Sequence, residues 1–401
     1  MTYFPMDEYE QRWSRVWDAI HSAGFETALV WGQSGGNYER CNDILYLTNY
    51  YSNQSGHAYD SSVRLASSYS AALFANGDSP ELFADQPDYP EDLLAVGRVS
   101  SDRNLIRAVT AGLRQRSATG KVLSVGHDFL PVKYARLLED AFPGIEFTYD
   151  DELVRDVRRY KSTFELECIR EAGETASAAL QALMETAMRG GTQADAAAAG
   201  MAELARRGGF PHMIPVSSGA TIHRFTGDPI AGFSREIVMA PGDLVRAWVY
   251  GPIWQGYWLD PGRTGIVGRA GTRRQRELIR TATDITHRLM ESVTPGSRVL
   301  DVVALGERLT TESGSQDDPV SNMFPLYGHG VGMFWERPTL GEGMLGEPGT
   351  EERYAYFHSG QTCTIEVFLS WPGVGSAGIE ECFIVQDGKN ELLTTTDLEW
   401  W

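Results

Sequence analysis

Positive charge is scarce in this chain: 35 lysines and arginines stand against 54 aspartates and glutamates, a formal net charge of −19. So acidic a surface repels a phosphate backbone, which excludes nucleic acid as the expected partner. Cysteine is scarce too. The four cysteines, Cys41, Cys168, Cys363 and Cys382, are scattered without CxxC or metal-knuckle spacing. They are expected to stay reduced thiols, which excludes a disulfide scaffold and points to the cytoplasm. Long apolar runs are missing as well. No stretch approaches the roughly eighteen uninterrupted apolar residues of a membrane span. The opening MTYFPMDEYEQRW lacks the basic and apolar regions of a leader. A soluble, untargeted chain with no membrane partner is expected.

What is present is enough apolar material for large cores, 42% of 401 residues, and a length that predicts two or three domains. Residues 7–23 carry apolar side chains at helical spacing, with Gly24 where a helix would stop. FETALVWG, ILYLTNYY, SAALFANG, PELFAD and KVLSVGHD read as strands, with a helix over 102–115 between the last two. This alternation predicts an α/β domain over 1–155. From DELVRDVRRYKSTFELECIREAGETAS onward the pattern becomes one long, Ala-rich helical run closing at Gly190 and Gly191. A second domain, 156–401, is therefore expected to open on a helix. It returns to strands in RAWVYG, QTCTIEVFLSW and GIEECFIVQDG, with a helix over 272–292. The class is α/β, or α+β where helices and strands segregate.

The stretch GDLVRAWVYGPIWQGYWLDPGRT, residues 242–264, alternates apolar and polar residues about a Gly-Pro pair and reads as a hairpin that delivers Asp260. His329 lies in the glycine-rich YGHGVGMFWERP. Glu366 and Glu380 sit in the strands TCTIEVF and GIEECF, flanked by apolar neighbours that are expected to bury them. Three carboxylates and an imidazole make a hard oxygen and nitrogen set suited to Mn, Fe, Co or Zn. Each residue alone also fits a turn cap or an exposed strand face. The rings Trp248, Tyr250, Trp254, Tyr257, Trp258, Phe334 and Trp335 flank these acids. They are expected to pack a core or to face a cationic substrate, since ring faces attract ammonium and guanidinium groups.

In order along residues 150–390, LVRDVRRYKSTFELECIREAGETAS, GDLV…GYWLDPGRTGIVG, GHGVG…ERP, SGQTCTIEVF and GIEECFIVQDG resemble the creatinase, prolidase and Xaa-Pro aminopeptidase superfamily. The resemblance implies a pita-bread catalytic domain behind a smaller creatinase-type α/β domain. It implies Asp260, His329, Glu366 and Glu380 as metal ligands. The superfamily's first ligand aspartate is missing, with Trp248 and Tyr250 in its place. At most one divalent ion is therefore expected, with a metal-free site as the alternative. The resemblance further implies catalytic roles for His223, after the Ser218–Gly219 turn, for Glu366 and for Glu336. Trp335 stands where the family carries a second histidine. Substrate contacts are assigned to Trp248, Tyr250, Trp254, Tyr257 and Trp335. A homodimer is implied too, with LYLTNYYSNQSGHAYDS, 45–61, offering groups able to reach a ligand.

Three functions follow. The first is hydrolysis of a C–N bond in a small cationic or amino-acid-like metabolite. The second is a non-hydrolytic lyase or tailoring enzyme on the same scaffold, of the kind that cleaves dimethylsulfoniopropionate; a conventional Xaa-Pro aminopeptidase is a further alternative, the least favoured because the first aspartate and the second histidine are missing. The third is a catalytically silent binding protein, disfavoured because four ligand-type residues are retained.

Overall fold

The computed structural model describes residues 3–34, 42–52, 60–77, 79–116, 120–316, 319–323, 326–341 and 351–401. Cys41 and residues 53–59 of the 45–61 segment lie outside them. The remaining three cysteines, Cys168, Cys363 and Cys382, are buried. The chain divides into two compact units, 1–158 and 159–401.

The first unit is a six-stranded mixed sheet. Its strands are β1 (Thr27–Gln33), β2 (Tyr69–Ala75), β3 (Glu81–Ala84), β4 (Val99–Ser101), β5 (Gly120–Val125) and β6 (Ile145–Tyr149), in the order β4-β3-β2-β1-β5-β6. Helix α1 (Met6–Ser22) stops at Gly24, whose φ of 83° only glycine adopts freely. α2 spans Asn42–Thr48, so the apolar ILYLTNYY is helical in its first half and not a strand. Its β-branched and aromatic residues favour a strand locally, but Ile44, Tyr46 and Leu47 are buried as a helix, and packing overrides propensity. Helices α3 (Leu105–Gln115) and α4 (Val132–Ala141) share a core with alternate residues of the sheet, among them Leu29, Trp31, Leu73 and Phe83. The unit ends with α5 (Leu153–Arg158).

The long helical run expected across this junction is thus broken. Ser162 caps a new helix, α6 (Thr163–Arg189), through a reciprocal capping box with Glu165. The following elements are β7 (Gly191–Thr192), α7 (Gln193–Arg206), β8 (Val216–Ser218), β9 (Val238–Met239), β10 (Leu244–Trp248), β11 (Gly251–Trp254), β12 (Tyr257–Leu259), β13 (Gly262–Ile266), α8 (Arg273–Ser292), α9 (Val299–Glu312), α10 (Pro319–Met323), β14 (Leu326–Val331), β15 (Trp335–Gly341), β16 (Thr362–Trp371), β17 (Gly375–Ile384) and β18 (Glu391–Leu392). The main sheet runs β15-β14-β16-β17-β13-β10-β8, with β18 beside β17.

Strand alternation divides this sheet into two faces. Ile365, Val367 and Leu369 of β16, with Ala377, Ile379 and Phe383 of β17, pack against Leu278, Ile279, Ala282 and Ile285 of α8 and against α9. The opposite positions, Thr364, Glu366 and Phe368 with Gly378 and Glu380, then necessarily share the other face.

The 242–264 stretch is a hairpin, as its alternation predicts, but the turn is not at Gly251–Pro252. β10 pairs with β13 and β11 with β12, and the reversal falls at Gln255–Gly256, with φ of 51° and 83°. Two successive positive φ values make the two-residue turn that matches strand twist, and glycine supplies the second at no steric cost.

Candidate metal centre

Four sequence-distant segments bring the acids together. Asp260 sits in the link between β12 and β13, His329 on β14, Glu366 on β16 and Glu380 on β17. Register places the glutamates directly opposite each other, Glu366↔Glu380, and continues the row through Gly262 to Trp248, since Glu380↔Gly262 and Gly262↔Trp248 are also paired. Asp260, His329 and Glu380 each present one ligand atom within 4.8 Å of the others. Glu366 lines the same cavity with them.

All four are buried, Asp260 at 4%, His329 at 5%, Glu366 at 7% and Glu380 at 2% relative exposure. Enclosure disfavours the ionised form of the two glutamates. Burial, and then the Asp260 and Glu366 charges, push Glu380 well above the usual carboxylate range. Burial raises Glu366 too, against the opposing pull of His329. Burial works to lower His329, but Asp260 outweighs it and leaves the imidazole raised.

The hydrogen bonds orient this set. His329 Nδ1 lies 2.9 Å from the Gly330 carbonyl, so a proton there leaves the Nε2 lone pair facing the acids, 3.2 Å from Asp260 Oδ2. Trp335 Nε1 donates to the same Oδ2 at 3.0 Å, and Cys382 Sγ lies 3.6 Å from Oδ1. Trp248 Nε1 donates to Glu380 Oε2 at 2.7 Å. Glu380 Oε1 has no hydrogen-bond partner among the described residues. An enclosed carboxylate oxygen without a donor is costly. Together with the hard oxygen and nitrogen donors, it fits the set to a divalent cation.

The cavity walls are Phe225, Trp248, Tyr250, Leu326, Trp335 and Thr339. Of the five rings assigned to substrate, Trp248, Tyr250 and Trp335 are therefore there, and two are elsewhere. Tyr257 is fully buried and donates its hydroxyl to Glu165 Oε1 at 3.0 Å, against α6. Trp254, beside the hairpin turn, packs over Gly208. His223 is exposed and lines a different cavity, with Ile222, Gln316 and Trp371, because the 3₁₀ turn at Gly219–Thr221 carries it away from the acids. Glu336 is buried at 5% but outside the cavity lining. It is ion-paired to Lys161 Nζ at 2.5 Å, since the neighbouring Trp335 takes the inward position of β15. Phe225, Leu326 and Thr339 are the wall residues that the sequence did not reveal; Phe225 lies in a loop with no period to read.

The buried acids and one imidazole make a group that could hold a metal ion. The pattern of metallopeptidase family M24 matches residues 167–387. The chain belongs to that family and is a hydrolase of its superfamily, in agreement with the order of motifs. Among curated relatives, the Xaa-Pro dipeptidase of Lactobacillus delbrueckii is 24% identical over 336 residues, 82% of this chain and 86% of the relative. That of Pyrococcus furiosus is 26% identical over 259 residues, 63% and 68%. The Xaa-Pro dipeptidase structure from Bacillus anthracis superposes with a TM-score of 0.75 at 20% identity, covering 98% of this chain and 99% of the other. The prolidase structure from Pyrococcus horikoshii gives 0.74 at 19%, covering 98% and 100%. These superpositions establish the pita-bread fold.

Proposed function

We propose that this protein hydrolyses the peptide bond of a small substrate, with Xaa-Pro dipeptides as the best-supported class, at a centre holding one divalent ion. The observation that carries this is the buried convergence of Asp260, His329 and Glu380 in a chain whose curated relatives are named Xaa-Pro dipeptidases. The relatives weigh against the first expectation, a non-peptidase metabolite hydrolase, and give no support to a lyase.

Asp260, His329 and Glu380 would hold the ion, with Glu366 beside them. A divalent ion in such a set polarises a carbonyl and lowers the pKa of water towards about 7. Glu366, facing the same cavity, takes the proton of the attacking water and returns it to the departing nitrogen as the C–N bond breaks. Phe225, Trp248, Tyr250 and Trp335 exclude bulk water and pack the apolar part of the substrate. His223 and Glu336 are assigned no contact with substrate. A cytoplasmic homodimer belongs to the same proposal. No helix among the described residues is long and apolar enough to cross a membrane, and full activity in a monomer by light scattering would count against the dimer.

The cavity lining favours a second substrate class, a small cationic C–N compound that is not a dipeptide, because among the described residues it combines four aromatic rings with three carboxylates and includes no lysine or arginine. Protein loaded in turn with Mn²⁺, Co²⁺ and Zn²⁺ and offered a panel of Xaa-Pro dipeptides should release free proline. No release with any of the three ions, alongside hydrolysis of N-alkylated amidines or amides, transfers the assignment to the second class.

A further inference from the structure

Trp248 is built into its position by three strands. In the cross-strand row Trp248–Gly262–Glu380, neighbouring strands lie about 4.8 Å apart, so Trp248 and Glu380 are separated by roughly 10 Å of sheet. Only a long side chain spans that distance, and only if the intervening residue has none. Gly262 meets this need: a Cβ there would stand 2.1 Å from both Cε2 and Nε1 of the Trp248 indole. On the far side, a Cβ at Gly378 would come within 2.7 Å of Trp248 Cη2. Phe368 of β16 stacks on the same indole, centroids 5.3 Å apart at 29°. Two glycines and a stacked ring make a slot for the indole, and the slot ends with Nε1 on Glu380 Oε2 at 2.7 Å. Ordinary packing of a tryptophan needs no such aim.

The second indole repeats the arrangement. Trp335 Nε1 donates to Asp260 Oδ2 at 3.0 Å. Each of the two acids that belong to the three-residue cluster thus has one oxygen tied to a tryptophan N–H. Glu380 keeps its other oxygen, Oε1, for an ion, whereas Asp260 Oδ1 lies 3.6 Å from Cys382 Sγ and the Trp335-bound Oδ2 is the oxygen that faces His329.

We infer that Trp248 and Trp335 are positioning residues that lock Glu380 and Asp260 as ligands of a single ion. This rests on the proposal above that the centre holds metal. The indoles do not touch the ion. They act through the carboxylates, as hydrogen-bond partners behind metal ligands do, and loss of such a partner typically weakens metal affinity by about 10- to 100-fold.

The test is titration of the metal-free protein with Co²⁺, followed by calorimetry and by the visible spectrum of the bound ion. Wild type should bind one ion per chain. Trp248→Phe keeps a ring in the slot but lacks the donor. It should bind Co²⁺ about 10- to 100-fold more weakly, with a displaced visible band and retained far-ultraviolet circular dichroism. Trp335→Phe should behave likewise. A second measurement needs no variant: in ¹⁵N–¹H spectra of indole-labelled wild type, two tryptophan N–H resonances should shift when Zn²⁺ is added. Unchanged Co²⁺ affinity and spectrum in folded Trp248→Phe, or an unmoved set of indole resonances, overturns the inference and leaves the metal centre standing. Two ions per chain in wild type also overturns it. No ion at all overturns it together with the metal-dependent function on which it rests.

Discussion

Trp335 and His329 meet at one atom, Asp260 Oδ2, the indole nitrogen at 3.0 Å and the imidazole Nε2 at 3.2 Å. Asp260 therefore joins the ion-binding set to the aromatic wall. Asp260→Ala and His329→Ala should each reduce tightly held metal from one ion per chain to none by elemental analysis. Hydrolysis should fall by at least about 10³-fold, on the order expected when a reaction loses the ion that activates water.

Gly262→Ala tests the slot from its floor. The added methyl collides with the Trp248 indole, and overpacking of this kind costs about 1–3 kcal/mol. Urea denaturation should show that loss. Combined with Trp248→Ala, the substitution should recover part of it, and strict additivity of the two changes would contradict the contact.

Arg263 supports the same strand from behind. It is fully buried, donates to the carbonyls of Glu380, Thr396 and Asp397, and pairs with Glu381 at 3.1 Å. Arg263→Met leaves Glu381 without that cation, so a loss of about 3–5 kcal/mol is expected. A smaller loss, under about 1 kcal/mol by denaturant titration, would show that water or His287 compensates.

His287, on α8, lies 3.6 Å from Glu381 Oε1, and that carboxylate raises its pKa, with Glu291 adding and both burial and Arg263 opposing. A histidine whose folded pKa is raised contributes stability below its unfolded value of about 6.5 and loses the contribution as pH rises through the folded value. His287→Gln should therefore be less stable than wild type near pH 5.5 and indistinguishable from it at alkaline pH. Thermal denaturation across that range reads the difference, and an equal gap at both ends would refute it.

Glu336→Gln separates structure from chemistry. Its partner Lys161 is 1% exposed at the side chain, and removing one member of so enclosed a pair costs about 3–5 kcal/mol. Metal content should remain at one ion per chain. Loss of the ion with unchanged stability would return Glu336 to the catalytic set.

The order of motifs made the catalytic fold legible through the family resemblance, and the same resemblance implied the four ligand-type residues that the structure brings to one cavity. Glu366 and Glu380 stood out by their apolar strand neighbours, and the hairpin that delivers Asp260 by its alternation. The turn at Gln255–Gly256 was less legible than Gly251–Pro252, because proline and glycine together imitate a reversal that the strand pairing does not use.

What the chain determines by itself is therefore which acids and imidazole are of ligand type and which strands carry them. Only the tertiary structure decides where neighbouring side chains point. Tyr257 and Trp254 share a hairpin with Tyr250, yet one turns to Glu165 and the other over Gly208. His223 turns away at Gly219, and Glu336 points to Lys161 while Trp335, one residue earlier, points to Asp260. The link from Trp248 to Glu380 spans 132 residues of sequence. It exists because β13 and β17 align a glycine between them, and strand register is set by the packing of the whole sheet, beyond what any local window contains.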